Sequence, residues 1–366
     1  MMVAAMVAFF PAEGRHFTGS GAAIRMPERR RGANGGRANG GGEDMADSRI
    51  RIAVVGLGKI ARDQHLPALA ANGRFELVAV ASPGARLDGT PCYDDMGAML
   101  EAEPSIGAVA LCTPPAVRGR LARLALQRGL HVLLEKPPGV TSSEVLALVD
   151  LAREKGVTLM AAWHSRHAPA VGPACRWLAS REIRRVTVRW QEDVRVWHPG
   201  QGWIWRAGGL GVFDPGINAL SLVTQIIPGA LVLTEAELEF PGNCETPIAA
   251  RLALVSRNGA PVSVQLDFRQ TGRQTWDIEV DTEAGRLCLS MGGHSIALDG
   301  GTQAAGGMIQ AGIDAEVGAA DEYAGVYARF ESLVRERRID VDIAPLQLVA
   351  DAFLCGRRIQ VGDFVE

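Results

Sequence analysis

A lysine held between Glu135 and Pro137 follows the apolar run Val132-Leu133-Leu134. That order sets an ammonium group at the carboxyl end of a buried strand, the edge at which open α/β sheets bind ligands. A second motif belongs to the same edge, Gly56-Leu57-Gly58-Lys59-Ile60-Ala61, between an apolar strand and a helical stretch. Gly56 permits the tight turn, and Gly58 lets the backbone, with Lys59 and Ile60, approach a pyrophosphate. Ala61 keeps the helix close to the strand. The helix N-terminus adds free N–H groups and a partial positive charge. Thr113-Pro114-Pro115 ends a further strand in a rigid turn. Thr113, Pro114, Pro115, Glu135 and Lys136 are therefore expected at the nicotinamide half of a bound dinucleotide, with Lys136 doing chemistry there.

Cofactor choice rests on the end of the second strand. An acid there would hold the ribose 2′-hydroxyl of NAD. The chain instead reads Ala81-Ser82-Pro83-Gly84-Ala85-Arg86. Ser82 can bond a 2′-hydroxyl or a 2′-phosphate, and Arg86 can neutralise the phosphate. The expectation is NADP, with NAD tolerated. Further along, Trp190, Trp197, Trp203 and Trp205 are four of the seven tryptophans and fall within sixteen residues. Indole faces suit the apolar faces of a pyranose, although part of such a cluster is expected to fill the core.

These residues need a frame that brings strand ends together. From Ile50 to Met160 short apolar runs alternate with amphipathic stretches. Strands are predicted at Ile52–Val55, Leu77–Ala81, Val109–Cys112, Val132–Leu134 and Thr158–Ala161. Helices are predicted at Ile60–Ala71, Asp95–Glu101, Ala116–Arg128 and Ser142–Lys155. This is the rhythm of βαβ units and a doubly wound parallel sheet. After Arg181 the period changes to two, over Val186–Trp190, Leu231–Phe240, Ala249–Val255, Val262–Phe268, Trp276–Asp281 and Arg286–Ser290. Such alternation predicts a large, mostly antiparallel sheet with one wet face. Two helices, Ala320–Arg337 and Pro345–Arg357, close the chain and pack back. The fold class is α/β: a Rossmann domain over 49–165 and an α+β domain with a large, mostly antiparallel sheet over 166–366.

The bulk numbers exclude several classes. The 366 residues carry a formal charge of −3 and a pI near 6.2, which gives no field for nucleic acid. No apolar stretch reaches the roughly 18–20 residues a membrane span needs. Six scattered cysteines form no C-x-x-C pair, which argues against a disulfide framework or zinc site and fits the cytoplasm. No metal cluster is expected. Residues 1–48 are rich in Gly, Ala and Arg and are expected to be a disordered extension. Met1–Phe10 is apolar, but no basic residue precedes it and no clear A-x-A site follows, so a signal peptide is disfavoured and Met45 is an alternative start.

G-x-G-x-x-A and Glu135-Lys136-Pro137 in this setting resemble the Gfo/Idh/MocA oxidoreductases, over about residues 50–366. The resemblance implies an active-site lysine, Lys136, and a second motif of aspartate followed four residues later by histidine. The matching stretch has Asp214 but carries Asn218 in place of the histidine. An amide cannot take a proton as imidazole does. Proton removal then falls to Asp214 or Lys136; the expectation is Asp214 as base with Lys136 polarising or relaying, and Asn218 orienting substrate by hydrogen bonds. Asp214 before Pro215 is also a favourable N-cap, and residues four apart share a helix face.

With Phe213-Asp214-Pro215-Gly216-Ile217-Asn218, the chain resembles the branch of that family that oxidises D-galactose, L-arabinose or D-fucose at C1 to an aldonolactone. That likeness implies Glu192 and His198 as sugar ligands and Trp197 as a wall, with His164 and Trp276 as further candidates. The expected partner is a small sugar, and the expected assembly is a homodimer or homotetramer. Two alternatives stay open: a relative acting on an inositol, amino sugar or imine, and a non-catalytic NAD(P)-sensing regulator.

Overall fold

The structure, a computed structural model, describes residues 48–299 and 318–365. The expected N-terminal extension lies outside the described residues, apart from Ser48.

Runs of Val, Ala, Leu and Ile form six parallel strands: β1 Ile50–Val55, β2 Phe75–Ala81, β3 Cys92–Tyr93, β4 Ala108–Leu111, β5 His131–Glu135 and β6 Leu159–Ala162. They are covered on both sides, which is why they read as continuous apolar runs and not as alternations. Their order is β3-β2-β1-β4-β5-β6. The direction of winding therefore reverses between β1 and β4, where a crevice opens at the carboxyl ends. Helices α1 Leu66–Ala71, α2 Met96–Ala102, α3 Pro115–Gln127 and α4 Ser142–Lys155 connect them.

The expected helix Ile60–Ala71 is not uniform. Ala61–His65 form a widened π turn, with Leu66 N–H bonding to the Ala61 carbonyl, before α1 begins. Pro67 explains the change. It has no N–H for the carbonyl four residues back, and its ring would crowd that carbonyl. His65, at the end of the wide turn, is fully buried.

The second half builds an eight-stranded sheet from β7 Ile183–Gln191, β8 Leu231–Pro241, β9 Ala249–Ser256, β10 Pro261–Asp267, β11 Thr275–Thr282, β12 Gly285–Ser290, β13 Ser295–Asp299 and β14 Arg357–Val361. The order is β13-β12-β11-β7-β10-β9-β8-β14. Only β7–β10 and β8–β14 pair in parallel. Helices α5 Val171–Leu178 and α7 Phe213–Ile226 pack into the core of this sheet, and a one-turn helix, α6, spans Val194–Trp197. The far face stays wet: on β10, Pro261, Ser263 and Gln265 are exposed while Val262, Val264 and Leu266 are buried. Two closing helices follow, α8 Gly318–Glu336 and α9 Ala344–Cys355. The expected helix over Pro345–Arg357 thus stops at Cys355, and residues 357–361 become an edge strand. Strands β3, β13 and β14 escape the sequence pattern because each is short and lies at or next to a sheet edge, with little alternation to read.

α9 packs on the second sheet, whereas α8 crosses back to the first. Its residues Val326, Tyr327, Phe330 and Leu333 lie against Ile52, Val54, Val80, Ala108, Ala110 and Leu133, on the sheet face opposite α2, α3 and α4. Among the described residues α1 and the π turn before it also cover that face, and α8 completes the third layer of the nucleotide sheet.

Polar contacts lock α8 in place. Tyr323 Oη donates to Glu135 Oε1 at 2.6 Å, and His65 lies between Tyr327 Oη (2.8 Å) and the same carboxylate oxygen (3.0 Å). Glu135, the neighbour of Lys136, is 3% exposed. Burial pushes its carboxyl up, but hydrogen bonds and charge from His65, the charge of His164 and the Tyr323 hydroxyl outweigh it and hold the group at about 2. His65 moves the other way: burial lowers it, and Cys112, Tyr327 and Glu135 raise it by more. The pair is a buried ion pair, and removing one partner of such a pair costs about 3–5 kcal/mol.

The sign of the acid response follows. Glu135 falls from its ordinary 4.5 to about 2 on folding, so the unfolded chain binds an extra proton between those values. The stability it contributes is full above about 4.5 and is lost as pH falls through about 2. Glu135→Gln is expected to lower the neutral-pH unfolding midpoint in urea and to flatten its fall between pH 4.5 and 2. An unchanged acid slope would contradict the assignment.

Candidate active site

A cleft of about 420 Å³ opens at the carboxyl ends of β1, β4 and β5. One wall is Gly58, Lys59, Ile60, Thr113, Pro114, Pro115, Glu135 and Lys136. The other is Trp197, His198, Gln201, Trp203 and Asp214. Gly56 has φ of +91°, and a Cβ there would sit 2.9 Å from the Thr113 nitrogen, so only glycine lets the first turn pass under the Thr113 loop. A Cβ on Gly58 would meet nothing within 4 Å, because it would project into open space. These features fit the cradle of a dinucleotide: Gly56, Gly58 and the first residues after them would hold its phosphates, and Thr113 to Pro115 with Lys136 would flank its nicotinamide.

Arg118, not anticipated from the sequence, secures this edge. It is 3% exposed and donates to the carbonyls of Thr113, Glu135 (2.6 Å) and Pro137. It thereby clamps the two strand-end loops to the first turn of α3. Arginine is almost never buried, so its sequence carries no signal of this role.

Lys136 reaches across the cleft. Its Nζ donates to the Asp214 carbonyl at 2.9 Å and to Asp214 Oδ1 at 3.2 Å. Both side chains are largely buried, at 13% and 7% exposure. Asp214 sits in the first turn of α7, which starts at Phe213 with Val212 as N-cap. The expected N-cap role of Asp214 is therefore not what its side chain does: the helix begins earlier and the carboxylate turns to Lys136. α7 lies close on the sheet because position 216 is glycine, where a Cβ would be 2.5 Å from Leu266 Cδ1.

Behind Asp214 stands a second polar chain. His198 Nδ1 is 3.8 Å from Asp214 Oδ2, and His198 Nε2 is 3.0 Å from Glu192 Oε1. The other Glu192 oxygen accepts from Trp276 Nε1 at 2.8 Å. Glu192 is 2% exposed, so it lies behind the wall and not in the cleft. Trp276 stacks on Trp190 with centroids 5.7 Å apart and touches Trp197 at 4.7 Å. Trp190 and Trp205 belong to the core, while Trp197, 40% exposed, and Trp203 face the cleft.

Besides Glu192 and Trp276, two more expected site residues stand outside the cleft lining. Asn218 is half-buried and does not line the cleft; four residues along α7 carry it about 6 Å beyond Asp214. His164 bonds through Nδ1 to Glu322 on α8 and stacks on Tyr323. His294 Nε2 completes that cluster at 2.9 Å from Glu322.

At the far end of the nucleotide edge, Arg86 Nη1 is 3.1 Å from Asp94 Oδ1, and Gly84 N–H donates to the same oxygen at 3.2 Å. The backbone N–H of Ser82 donates to the Tyr93 carbonyl. An acid does stand beside the end of β2, then, but it comes from the end of β3, which a search along the second strand alone passes over. All six cysteines are unpaired, and among the described residues no cluster of three or more His, Cys, Asp or Glu could hold a metal. No described helix is long and apolar enough to cross a membrane.

The likeness to known proteins follows this geometry. A family model for oxidoreductases with an NAD-binding Rossmann fold, Gfo/Idh/MocA, matches residues 50–163. Galactose 1-dehydrogenase of Pseudomonas fluorescens is 42% identical over 317 residues, 87% of this chain and 99% of the relative. The crystal structure of D-galactose-1-dehydrogenase from Rhizobium etli superposes with a TM-score of 0.79 at 49% identity, covering 87% of this chain and 98% of that one. A 3-ketoreductase from Actinomadura kijaniata, solved with NADP and TDP-benzene, shares the fold at a TM-score of 0.73 and 21% identity, over 86% of this chain and all of that one. On the family model and on this likeness over nearly the whole length of the relatives, the chain belongs to the Gfo/Idh/MocA family of oxidoreductases.

Proposed function

We propose that the protein is an NAD(P)-dependent aldose 1-dehydrogenase that oxidises a cyclic sugar of the D-galactose, L-arabinose or D-fucose type at C1 to its aldonolactone. The observation that carries this reading is the contact of Lys136 with Asp214 inside a cleft walled by Trp197 and Trp203. The two galactose dehydrogenases, similar over nearly their whole lengths, support the sugar class. Residues 49–165 would bind the nucleotide and 166–366 the sugar, with α8 returned to the nucleotide side. The wet face of the second sheet suits self-association as a dimer or tetramer, and six unpaired cysteines suit the cytoplasm.

Each residue then has a task. Asp214 accepts the proton of the C1 hydroxyl. Lys136, through its two bonds to Asp214, orients the carboxylate and offers an N–H to the C1 oxygen as it becomes a carbonyl. Trp197 and Trp203 take the apolar face of the ring and exclude water. Bound NAD(P) supplies the acceptor for the hydride released from C1. A sensing regulator would have no use for an acid and a lysine buried together, since a buried ion pair is weak support for stability.

Absorbance at 340 nm with NAD or NADP and a panel of aldoses tests the reading. Reduction with galactose-type sugars is expected; cofactor binding without reduction by any sugar would favour the regulator. Asp214→Asn is expected to lower kcat at least ~10²-fold with cofactor affinity intact, and substantial retained turnover would exclude Asp214 as base. For cofactor choice, Asp94→Ala frees Arg86 for a 2′-phosphate and removes an acceptor for a 2′-hydroxyl. The NADP:NAD ratio of kcat/KM should rise about tenfold, or about 1.4 kcal/mol; no change would sever Asp94 from cofactor choice.

A further inference from the structure

We infer that Phe364 clasps the two ends of the segment that forms the outer cleft wall, residues 194–205, and so preorganises that wall for the sugar; the inference rests on the sugar reading proposed above. The segment carries Trp197, His198, Gln201 and Trp203 into the cleft lining. It has little regular structure of its own, only the single turn of α6 and a 3₁₀ turn at Gly202–Trp205. Val196 and Trp197 are both exposed, so its outer half has little apolar burial to hold it. A stretch with few buried contacts opens locally at low cost. Whatever order it lacks before the sugar arrives is subtracted from the affinity.

Phe364 meets both ends. Its ring lies 4.9 Å, centroid to centroid, from that of Trp205, where the segment stops. The guanidinium of Arg195, one residue inside the start, stands 5.2 Å from the centroid of the same ring, and Arg195 Nη2 donates to the Val365 carbonyl at 3.2 Å. One side chain in turn fixes Phe364. Asn243 Nδ2 donates to the Phe364 carbonyl at 2.7 Å, and Asn243 Oδ1 accepts from the Phe364 N–H at 3.0 Å. Asn243 belongs to the connection between β8 and β9, which also grips the end of the wall. There Glu245 N–H donates to the Trp205 carbonyl at 2.9 Å, and Thr246 Oγ1 donates to the Ile204 carbonyl at 2.8 Å.

The rings continue inward. Trp205 meets Phe268 edge-on at 5.6 Å, and Phe268 also lies 5.6 Å from His198, which lines the cleft beside Asp214. Close-packed rings pass a displacement on, so loss of the Phe364 ring is felt where the sugar would lie. The nucleotide cradle is built on the first sheet and does not depend on this clasp. Phe364 itself does not line the cleft, so it is a positioning residue that acts through Arg195 and Trp205.

Phe364→Ala in the full chain tests the clasp. The sugar KM should rise about tenfold, the size of losing one aromatic pair and one cation–π contact. That loss falls equally on bound sugar and transition state, so kcat should stay within about twofold and the nucleotide KM should not move. Phe364→Tyr keeps the ring and should restore the sugar KM. Trypsin gives a readout that needs no turnover, because Arg195 and Arg206 bracket the wall. Cleavage after either should be about tenfold faster in Phe364→Ala, since cutting follows the population of the opened segment. Asn243→Ala removes the two bonds that fix Phe364 and should give the same pattern, and the urea midpoint checks that each variant is folded. An unchanged sugar KM, a nucleotide KM that rises with it, or unchanged cleavage would overturn the inference. If the wild type oxidises no aldose, the proposed function falls, and the cleavage rates still decide whether Phe364 clasps the wall.

Discussion

Lys136 Nζ bridges the carbonyl and the carboxylate of Asp214, and the cleft depends on that one contact. It joins the end of β5 in the parallel sheet to the first turn of α7 on the antiparallel one. Two charges taken mostly out of water need tight geometry to offset their desolvation. Much of the nearby packing serves that geometry. Arg118 ties the loops after β4 and β5 together from below, and Glu135 is pinned by three groups, two of them on α8 or bonded to it. On the other side, α7 is buried along most of its length and rests on Leu266 through Gly216.

α8 shows how a distant segment can govern a local site. It lies nearly two hundred residues after Glu135 in the sequence, yet its Tyr323 hydroxyl reaches the Glu135 carboxylate. The apolar contacts of Val326, Tyr327, Phe330 and Leu333 supply the binding, while the tyrosine hydroxyls and His65 set the register. Buried polar groups in such a network stand or fall together, because each is costly when left without its partner. His164 and His294 extend the network through Glu322, and the Glu322 carboxyl, raised by burial but lowered further by those histidines, also settles at about 2. The nucleotide sheet and the closing helix thus share one electrostatic unit under the lysine.

Much of the frame was legible from residue order. Buried parallel strands declare themselves as unbroken apolar runs, and the wet sheet declares itself by alternation, so both sheets and most helices could be placed. Gly56, Gly58, Thr113 and Lys136 were found because they sit at fixed offsets from those strands. The π turn before Pro67, the edge strands β3, β13 and β14, and the N-terminus of α7 were not. Each depends on which hydrogen bonds the neighbours leave open, and a linear pattern does not carry that. Asp94 was missed for a related reason: it reaches the end of β2 from β3, and β3 is two residues long.

The sequence by itself determined the two-part α/β plan, the nucleotide edge and the presence of a lysine and an acid without the expected histidine after the acid. These follow from local spacing, since strand ends, tight turns and helix starts are short-range features. Only the tertiary structure decided which side chains meet. Glu192 and His198 look alike in the sequence as candidates to touch a sugar, yet folding buries Glu192 behind the wall and leaves His198 in the cleft lining beside Asp214. Arg118, His65 and Tyr323 acquire their roles the same way. A charged or polar side chain is read as exposed until packing removes water from around it, and that removal is a property of the folded whole.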